Sequence, residues 1–317
     1  MIKLHPNPTA AKELYLQVKD QLIIRIKKAI KGKFKKTDKK TKAKTAIAPS
    51  IGLIGYLTSL TTGNGLEALV TAQANDFKAI IAYLKSNFPN VLVAESDENL
   101  LFRNIFHEHG YKNIDKFDLI QKIAIDTCPY CNRNYTYSIS KKSLIKPEID
   151  HFYPTSIYPI FAVSFYNLIP SCLVCNGLGA KKNADPEIEG LTNPYLIQPF
   201  DFKFTFKIAS VNVLNPLSNK YGVHVKFLNQ IPGHLKVFKL DELYFHHSDH
   251  VLELIIKSKI KYSESYRQYL KDYEELHFSD DEINRMILGN YSLESEIHKR
   301  PFAKLYQDIG KELGLIE

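Results

Sequence analysis

The amino-acid sequence predicts an α+β fold in which helical regions at both ends of the chain flank a central segment anchored by cysteines. Apolar residues recur at almost every fourth position between residues 9 and 31, which is typical of an amphipathic helix. Apolar and polar residues alternate over residues 202–214 and 222–228, which predicts two strands joined by a turn around residues 215–222. The four cysteines of the chain all fall in two C-x-x-C pairs.

The N-terminal region, residues 1–119, is predicted to be mainly helical. A lysine-rich stretch after the first helix breaks the helical pattern and is expected to form a loop. Two more helices are predicted, over residues 66–88 and 98–109, because a proline follows the first and a glycine follows the second. The central segment, residues 120–200, contains both cysteine pairs and is predicted to form the core of the site.

The C-terminal region, residues 201–317, is predicted to begin with the pair of strands and to become helical from Leu240 onward. Residues 252–276 have the pattern of one long helix of about six or seven turns. No long linker rich in proline and serine separates the three regions. We therefore expect one compact body.

Charge is unevenly distributed along the chain. The formal net charge is +8, yet the stretch from Arg25 to Lys44 alone holds eleven basic residues and one acid. Such a concentration of positive charge suits an anionic partner such as nucleic acid, although a solvated loop is the alternative explanation. The candidate nucleic-acid contacts in this stretch are Lys35, Lys36, Lys39 and Lys40.

The sequence contains no segment typical of secretion or membrane insertion. Its start lacks the apolar core of a signal peptide. The most apolar early run, residues 47–60, is too short to span a bilayer and contains a proline and two glycines. We therefore expect a cytoplasmic protein with no membrane partner.

The cysteine pairs are Cys128 with Cys131 and Cys172 with Cys175. A disulfide or a redox pair is one interpretation, but a large cytosolic protein has little use for structural disulfides. Four thiolates around one structural Zn²⁺ explain two such pairs better, because each pair directs two sulfurs toward a tetrahedral centre. The 40 residues between the pairs exceed the usual zinc-ribbon spacing, so an insertion is expected there.

The insertion and its flanks resemble the HNH endonuclease family in its ββα-metal form. The resemblance covers roughly residues 126–185 and rests on the motifs "DTCPYCNRNY", "EIDHFYP", "NLIPSC" and C-x-x-C-N followed by lysines, which stand in the order that the family has. It implies a ββα core, stabilised by the zinc site and flanked by helical regions. It also implies hydrolysis of a phosphodiester bond.

The resemblance assigns a role to each of four residues. It implies His151 as the general base, Asp150 and Asn176 as ligands of one catalytic Mg²⁺ or Mn²⁺, and Asn167 as the side chain that braces the loop and orients His151. Many members of the family have a histidine where Asn176 stands here. An amide oxygen in its place favours Mg²⁺ over transition metals.

The chemistry of these residue types agrees with those roles. Histidine suits proton removal near neutral pH, and carboxylate and amide oxygens are the ligands that Mg²⁺ prefers. If residues 147–152 are extended, Asp150 and His151 point to opposite faces of the strand, so one can bind metal while the other reaches water. A short helix that begins after Cys175 is expected to bring Asn176 back toward Asp150.

Departures from the family pattern affect the phosphate contacts. Thr155 stands where a lysine is expected after "FYP", and the spacer "GLGA" delays the lysines that follow Asn176. The expected contacts are Arg133, Lys181 and Lys182. For Arg133, a structural role in bracing the first cysteine pair is an equal alternative.

The resemblance implies a metal-dependent endonuclease that cuts DNA. Larger HNH proteins with flanking helices resemble the nuclease subunit of bacterial anti-phage defence systems such as Septu, and the chain lacks a G-x-x-x-x-G-K-[ST] motif, so a separate ATPase or sensor subunit is the expected partner. The alternatives are an RNA or tRNA nuclease and a non-catalytic zinc module. A second metal site at His246, His247 and His250 is not expected, because only Asp249 offers a carboxylate there.

Overall fold

The computed structural model describes residues 1–37, 41–142, 146–210, 222–261, 264–273 and 278–316. Within these residues the chain is mainly helical, with three separate two-stranded antiparallel sheets, which confirms the α+β class. The helices are α1 (Pro8–Ile30), α2 (Ile51–Thr61), α3 (Gly65–Val70), α4 (Phe77–Asn87), α5 (Asp97–Phe102), α6 (Lys116–Ile123), α7 (Leu173–Asn176), α8 (Pro186–Glu189), α9 (Pro232–Phe238), α10 (Leu240–Phe245), α11 (Ser248–Ile256), α12 (Glu264–Lys271), α13 (Asp280–Leu288) and α14 (Ala303–Glu312). The strands are β1 (Lys35–Thr37), β2 (Lys44–Ala46), β3 (Glu148–His151), β4 (Leu168–Ser171), β5 (Lys203–Ile208) and β6 (Val223–Asn229).

Helix α1 confirms the amphipathic helix predicted over residues 9–31. The Asn7 side chain accepts a hydrogen bond from the backbone N–H of Ala10 and so caps the helix start. The apolar face, which includes Leu14, Leu22 and Ile26, is buried against α2 and α3. The opposite face leaves Lys12, Lys27 and Lys28 exposed to solvent.

The prediction of one continuous helix over residues 66–88 is wrong in one respect, because the structure has two helices there. Helix α3 ends at Val70 and α4 begins at Phe77. Between them, a carboxylate oxygen of Asp76 accepts a hydrogen bond from the backbone N–H of Gln73 at 2.9 Å. A side chain that satisfies a nearby backbone group competes with helix continuation, which explains the break.

The helix predicted over residues 98–109 is present but changes geometry along its length. Ser96 caps α5 through its side-chain oxygen, which accepts from the backbone N–H of Asn99. Over Arg103–Glu108 the backbone continues as a π-helical turn, which we call the π turn. Such turns often mark functional sites, and this one packs against the 3₁₀ segment Pro159–Val163 of the central region.

The lysine-rich stretch forms a short hairpin rather than the expected loop. Strand β1 pairs with β2 in antiparallel register, with Lys35 opposite Ala46. The backbone N–H of Ile47, which is buried, donates to Phe34 O at 3.0 Å and closes the base of the hairpin. Lys39 and Lys40, two of the predicted nucleic-acid contacts, lie outside the described residues.

In the C-terminal region, β5 and β6 confirm the predicted strand pair. They are antiparallel; β5 ends at Ile208, earlier than predicted, and residues 211–221 lie outside the described residues. Helix α11 passes into a second π-helical stretch, Lys257–Lys261, and α12 follows from Glu264.

Among the described residues, no helix combines the length and apolar character needed to cross a membrane.

In the central region, β3 and β4 form an antiparallel hairpin and α7 follows directly. Asp150 lies opposite Ile169, and the strand predicted over residues 147–152 is thereby confirmed. Helix α7 begins inside the second cysteine pair, not after it as expected. The reason is that the backbone N–H groups of Cys175 and Asn176 both donate to Cys172 O, at 3.1 and 3.0 Å.

Candidate functional site

The four cysteines form one buried cluster. Their sulfur atoms all lie within 4.8 Å of one another, and all four are free thiols. Cys131 Sγ and Cys172 Sγ, one from each pair, are 3.9 Å apart. Four sulfurs around a tetrahedral Zn²⁺ at about 2.3 Å from the metal are spaced by about 3.8 Å, whereas a disulfide needs about 2.05 Å. The cluster therefore has the donor set and the spacing to hold a zinc ion.

Hydrogen-bond donors surround the sulfurs. The backbone N–H of Arg133 donates to Cys131 Sγ at 3.4 Å, and the side-chain amide of Asn134 donates to Cys172 Sγ at 3.5 Å. Hydrogen bonds from the other three thiols, that of Cys128 above all, lower the pKa of Cys172. At Cys172 these hydrogen bonds favour the thiolate form that binds metal, whereas burial raises the pKa of the Cys128 thiol.

The C-terminal region holds the first cysteine pair in place. Asn132, fully buried, has a left-handed backbone (φ 49°), a conformation that asparagine tolerates better than most residues. Its side-chain amide donates to Thr127 Oγ1 at 3.0 Å, and its side-chain oxygen accepts from the backbone N–H of Lys304. Tyr244 also donates its hydroxyl to Cys131 O at 2.7 Å. The zinc-type cluster is thus built on contacts from α10 and α14.

Asp150 and His151 lie on opposite faces of β3 and meet different partners. Asp150 is buried, with 2% of its side chain exposed. One of its carboxylate oxygens accepts from the Tyr130 hydroxyl at 2.5 Å, and the other accepts from the Lys181 ammonium at 3.0 Å. Lys181, whose side chain is 0% exposed, also donates to His151 O at 2.9 Å. Asp150 is therefore the anionic partner of a buried ion pair in which both charged groups have hydrogen-bond partners.

The predicted Mg²⁺ or Mn²⁺ site is not formed in this arrangement. The ammonium of Lys181 stands at the carboxylate of Asp150, where a divalent ion would have to bind. Asn176 is half-buried at the end of α7, which packs against β3, and its side chain makes no hydrogen bond among the described residues. Asp150 lies on β3, against which α7 packs, but with the Lys181 ammonium at its carboxylate the arrangement does not fit a hard divalent cation.

Lys181 reaches Asp150 because the chain after α7 folds back on itself. The backbone N–H of Lys181 donates to Cys175 O at 3.1 Å. A Cβ atom at Gly177 would lie 2.7 Å from Leu173 O, so the close turn requires glycine there. Lys181 is thus not placed for the surface contact with nucleic acid expected from the sequence, whereas its neighbour Lys182 is exposed.

His151 is held in one tautomer. Its Nε2 lies 3.2 Å from Ala162 O, and since a carbonyl oxygen only accepts, Nε2 carries the proton and Nδ1 carries the lone pair. Burial, with a smaller contribution from His107, lowers the pKa of His151 to about 3. The ring is therefore neutral at pH 7 and has one nitrogen that can accept a proton.

Two aromatic side chains from the N-terminal region complete the surroundings of His151. The Tyr111 ring meets the His151 ring edge-on, with centroids 4.4 Å apart. His107, from the π turn, stacks on Tyr111 and lies 6.0 Å from His151. Nδ1 of His107 donates to a carboxylate oxygen of Glu108 at 2.9 Å. Nothing in the spacing of the sequence indicated these contacts, because they depend on how the π turn packs against the centre.

Asn167 is fully buried and ties together the segment that follows β3. Its side-chain oxygen accepts from the backbone N–H of Tyr153 at 2.7 Å. Its side-chain amide donates to Tyr153 O and to Phe161 O, at 3.2 and 3.0 Å. Phe161 directly precedes Ala162, whose carbonyl fixes the His151 ring. Asn167 is therefore placed to hold the acceptor that sets the histidine tautomer.

The other predicted contacts are dispersed. Arg133 faces the C-terminal region, where its Nε donates to Nε2 of His247 at 3.1 Å, so it braces the fold. His247, Asp249 and His250 bring three possible metal ligands within 4.8 Å, but the guanidinium of Arg133 in the same cluster disfavours a cation. Of the described hairpin lysines, Lys35 is exposed and Lys36 pairs with Asp97.

The described residues thus define an α+β protein with a buried tetracysteine cluster beside an Asp-His hairpin. Neither a family model nor a solved structure matches the chain. Over 84 residues the chain is 34% identical to the Septu protein PtuB of Bacillus thuringiensis. That stretch is 26% of this chain and 31% of the relative, so the similarity spans about a third of the relative's length.

Proposed function

We propose that the chain is a zinc-stabilised HNH endonuclease that hydrolyses phosphodiester bonds of DNA. The observation that carries the proposal is the orientation of His151, whose Nε2 is fixed by Ala162 O so that Nδ1 is the nitrogen left to accept a proton. It stands on a β-hairpin that leads directly into the second half of a four-thiol cluster. The order of strand, strand and helix is the order that the ββα form requires.

In the proposed reaction, His151 Nδ1 takes a proton from a water molecule as the water attacks the phosphorus. The bond to the 3′ oxygen breaks on the opposite side, and that oxygen takes up a proton from solvent, which leaves a 3′-hydroxyl and a 5′-phosphate. Asn167 holds the histidine in the correct tautomer through the backbone of residues 161–162. The four cysteines would hold a Zn²⁺ ion, which would supply structural stability to the hairpin and α7.

Positive charge at Asp150 comes from Lys181 in the described conformation. A divalent ion at Asp150 and Asn176 would first have to displace that ammonium, which is hydrogen-bonded to both Asp150 and His151 O. The proposal therefore rests on the general base and the zinc cluster.

Replacing His151 with alanine is expected to lower the rate of DNA cleavage by about 10²- to 10⁴-fold, the usual contribution of a general base. The measurement is the initial rate of nicking and cutting of duplex DNA by purified protein. Exposed His5, replaced by alanine, serves as the matched control and should leave the rate unchanged. Equal rates for the wild type and the His151→Ala variant would show that His151 is not the general base.

The same assay decides between the candidate substrates. Duplex DNA, single-stranded DNA and total RNA that includes tRNA are incubated separately with the wild type and the His151→Ala variant. We expect cleavage of DNA that depends on His151. Cleavage of RNA alone would assign an RNA nuclease, and binding without any cleavage would assign a non-catalytic zinc module.

We further propose that the nuclease acts in anti-phage defence together with a separate ATPase. The support is the 34% identity to the Septu protein PtuB over part of both chains. The test is the efficiency of phage plating on cells that express the chain with an adjacently encoded ATPase. Protection should require both proteins and should be lost in the His151→Ala variant; protection by that variant would contradict a nuclease effector.

A further inference from the structure

A small basic pocket lies between the end of α1, the base of the β1–β2 hairpin and the π turn. Its volume is about 160 Å³. No acidic side chain is among the described residues that line it. We call it the basic pocket, and its polar lining consists of Arg25, Lys28, Lys33, Lys35, Asn104 and His109.

Arg25 is the most informative of these side chains. Its Nε–H is buried and has no hydrogen-bond partner within the described part of the chain. A buried donor without an acceptor is unfavourable, and native structures rarely leave one. Because Arg25 lines the pocket, an anion that enters it would meet the positive charge of this guanidinium.

The pKa of His109 is affected by the same excess of positive charge. Burial lowers the pKa of His109, and the charges of Arg25 and Lys28 lower it further against the opposing effect of Glu108. The imidazole is thus near both cations. Lys28 and Lys33 are exposed at the rim, where they add positive charge without closing the entrance.

The size of the pocket restricts the anion. Pockets for whole small molecules have volumes of about 300–1,000 Å³. At about 160 Å³, this one has room for a phosphate group but not for a complete nucleotide. A ligand that places one phosphate in the pocket and keeps the rest outside fits best, and a nucleic-acid backbone is such a ligand.

The pocket is connected to His151 by the π turn. Asn104 of that turn lines the pocket, and His107 of the same turn lies 6.0 Å from the His151 ring. A strand whose phosphate occupies the pocket would therefore continue along the π turn toward the hairpin of the proposed active site.

We propose that the basic pocket binds one backbone phosphate of the nucleic-acid substrate, away from the bond that is cut. The inference rests on the proposed function only in taking nucleic acid as the ligand. It concerns binding and does not require that cleavage occurs.

The test is the salt dependence of DNA binding, measured in the His151→Ala background so that the DNA stays intact. Removing one cation that neutralises a phosphate should reduce the slope of log K against log salt by about 0.9 on B-DNA. We expect Lys28→Gln to reduce the slope by up to about 0.9, and the Arg25→Gln/Lys28→Gln double variant to reduce it by about 0.9 in total, because the pocket holds a single phosphate. Lys27, exposed on the same helix turn but outside the pocket, gives the matched control Lys27→Gln, which should leave the slope almost unchanged.

Equal slopes for the Lys28→Gln and Lys27→Gln variants would overturn the proposal. A second experiment replaces DNA with inorganic pyrophosphate or with ATP. Binding of each is measured by the shift of the His109 ring resonance in NMR spectra. Tight ATP binding without an effect of Lys28→Gln on the DNA slope would assign the pocket to free nucleotides and overturn the assignment to nucleic acid. A protein that binds DNA through the pocket but never cuts it would contradict the proposed nuclease function. The proposal that the pocket binds a backbone phosphate would still hold.

Discussion

Replacement of Cys172 with serine is expected to unfold the centre of the protein. Structural zinc sites contribute on the order of 10 kcal/mol of apparent folding free energy, which is comparable with the whole stability of a domain, about 5–15 kcal/mol. Cys172 supplies one sulfur of the four, and a serine hydroxyl is a poor replacement for a zinc-bound thiolate. The variant should therefore lose zinc and show a large drop in the free energy of unfolding.

Zinc content by elemental analysis and unfolding in urea check this expectation. Leu173, the next residue on the same turn, is 72% exposed, so Leu173→Ala is a suitable control. It should change the free energy of unfolding by less than about 0.5 kcal/mol. A Cys172→Ser protein that keeps its zinc and its stability would show that the cluster does not hold the fold together.

Replacement of Lys181 with methionine is expected to lower the free energy of unfolding by about 3–5 kcal/mol, the usual effect of removing one partner of a buried ion pair. The change keeps most of the side-chain volume but leaves the Asp150 carboxylate buried with only the Tyr130 hydroxyl. Unfolding in urea measures the loss.

The neighbouring lysine provides a matched control for this prediction. Lys182 is exposed, and Lys182→Met should change the stability by less than about 0.5 kcal/mol. In the Asp150→Asn/Lys181→Met double variant no buried charge remains, so most of the lost stability should return. If Lys181→Met were as stable as Lys182→Met, the ammonium would not be paired with Asp150.

The part of the site that could be predicted depends on local rules. Two C-x-x-C pairs identified the cysteine cluster, because their chemistry hardly depends on what lies between them. The strand pattern placed Asp150 and His151 on opposite faces, because side chains alternate along any strand.

The partners of Asp150 could not be predicted in this way. Lys181 is a long side chain whose reach is set by the turn at Gly177, and its burial depends on tertiary packing. Tyr130 lies within the first cysteine pair, where its hydroxyl carries no periodic signal. The sequence therefore predicted a metal ligand where the structure has an ion pair.

Errors in the N-terminal region have the same origin. The apolar pattern of residues 66–88 continues through Asp76, but the Asp76 side chain bonds the backbone of Gln73 and separates two helices. The π turn differs from an α-helix in its backbone hydrogen bonds. The residue pattern therefore predicted a helix there but did not indicate the π geometry. His107 and the basic pocket were consequently missed.

X-ray absorption at the zinc edge of the purified protein tests the central structural claim most directly. The account predicts one zinc per chain, surrounded by four sulfur atoms at about 2.3 Å, since all four cysteines converge in one buried cluster. A folded protein that contains no zinc, or zinc bound by nitrogen and oxygen atoms, would contradict it.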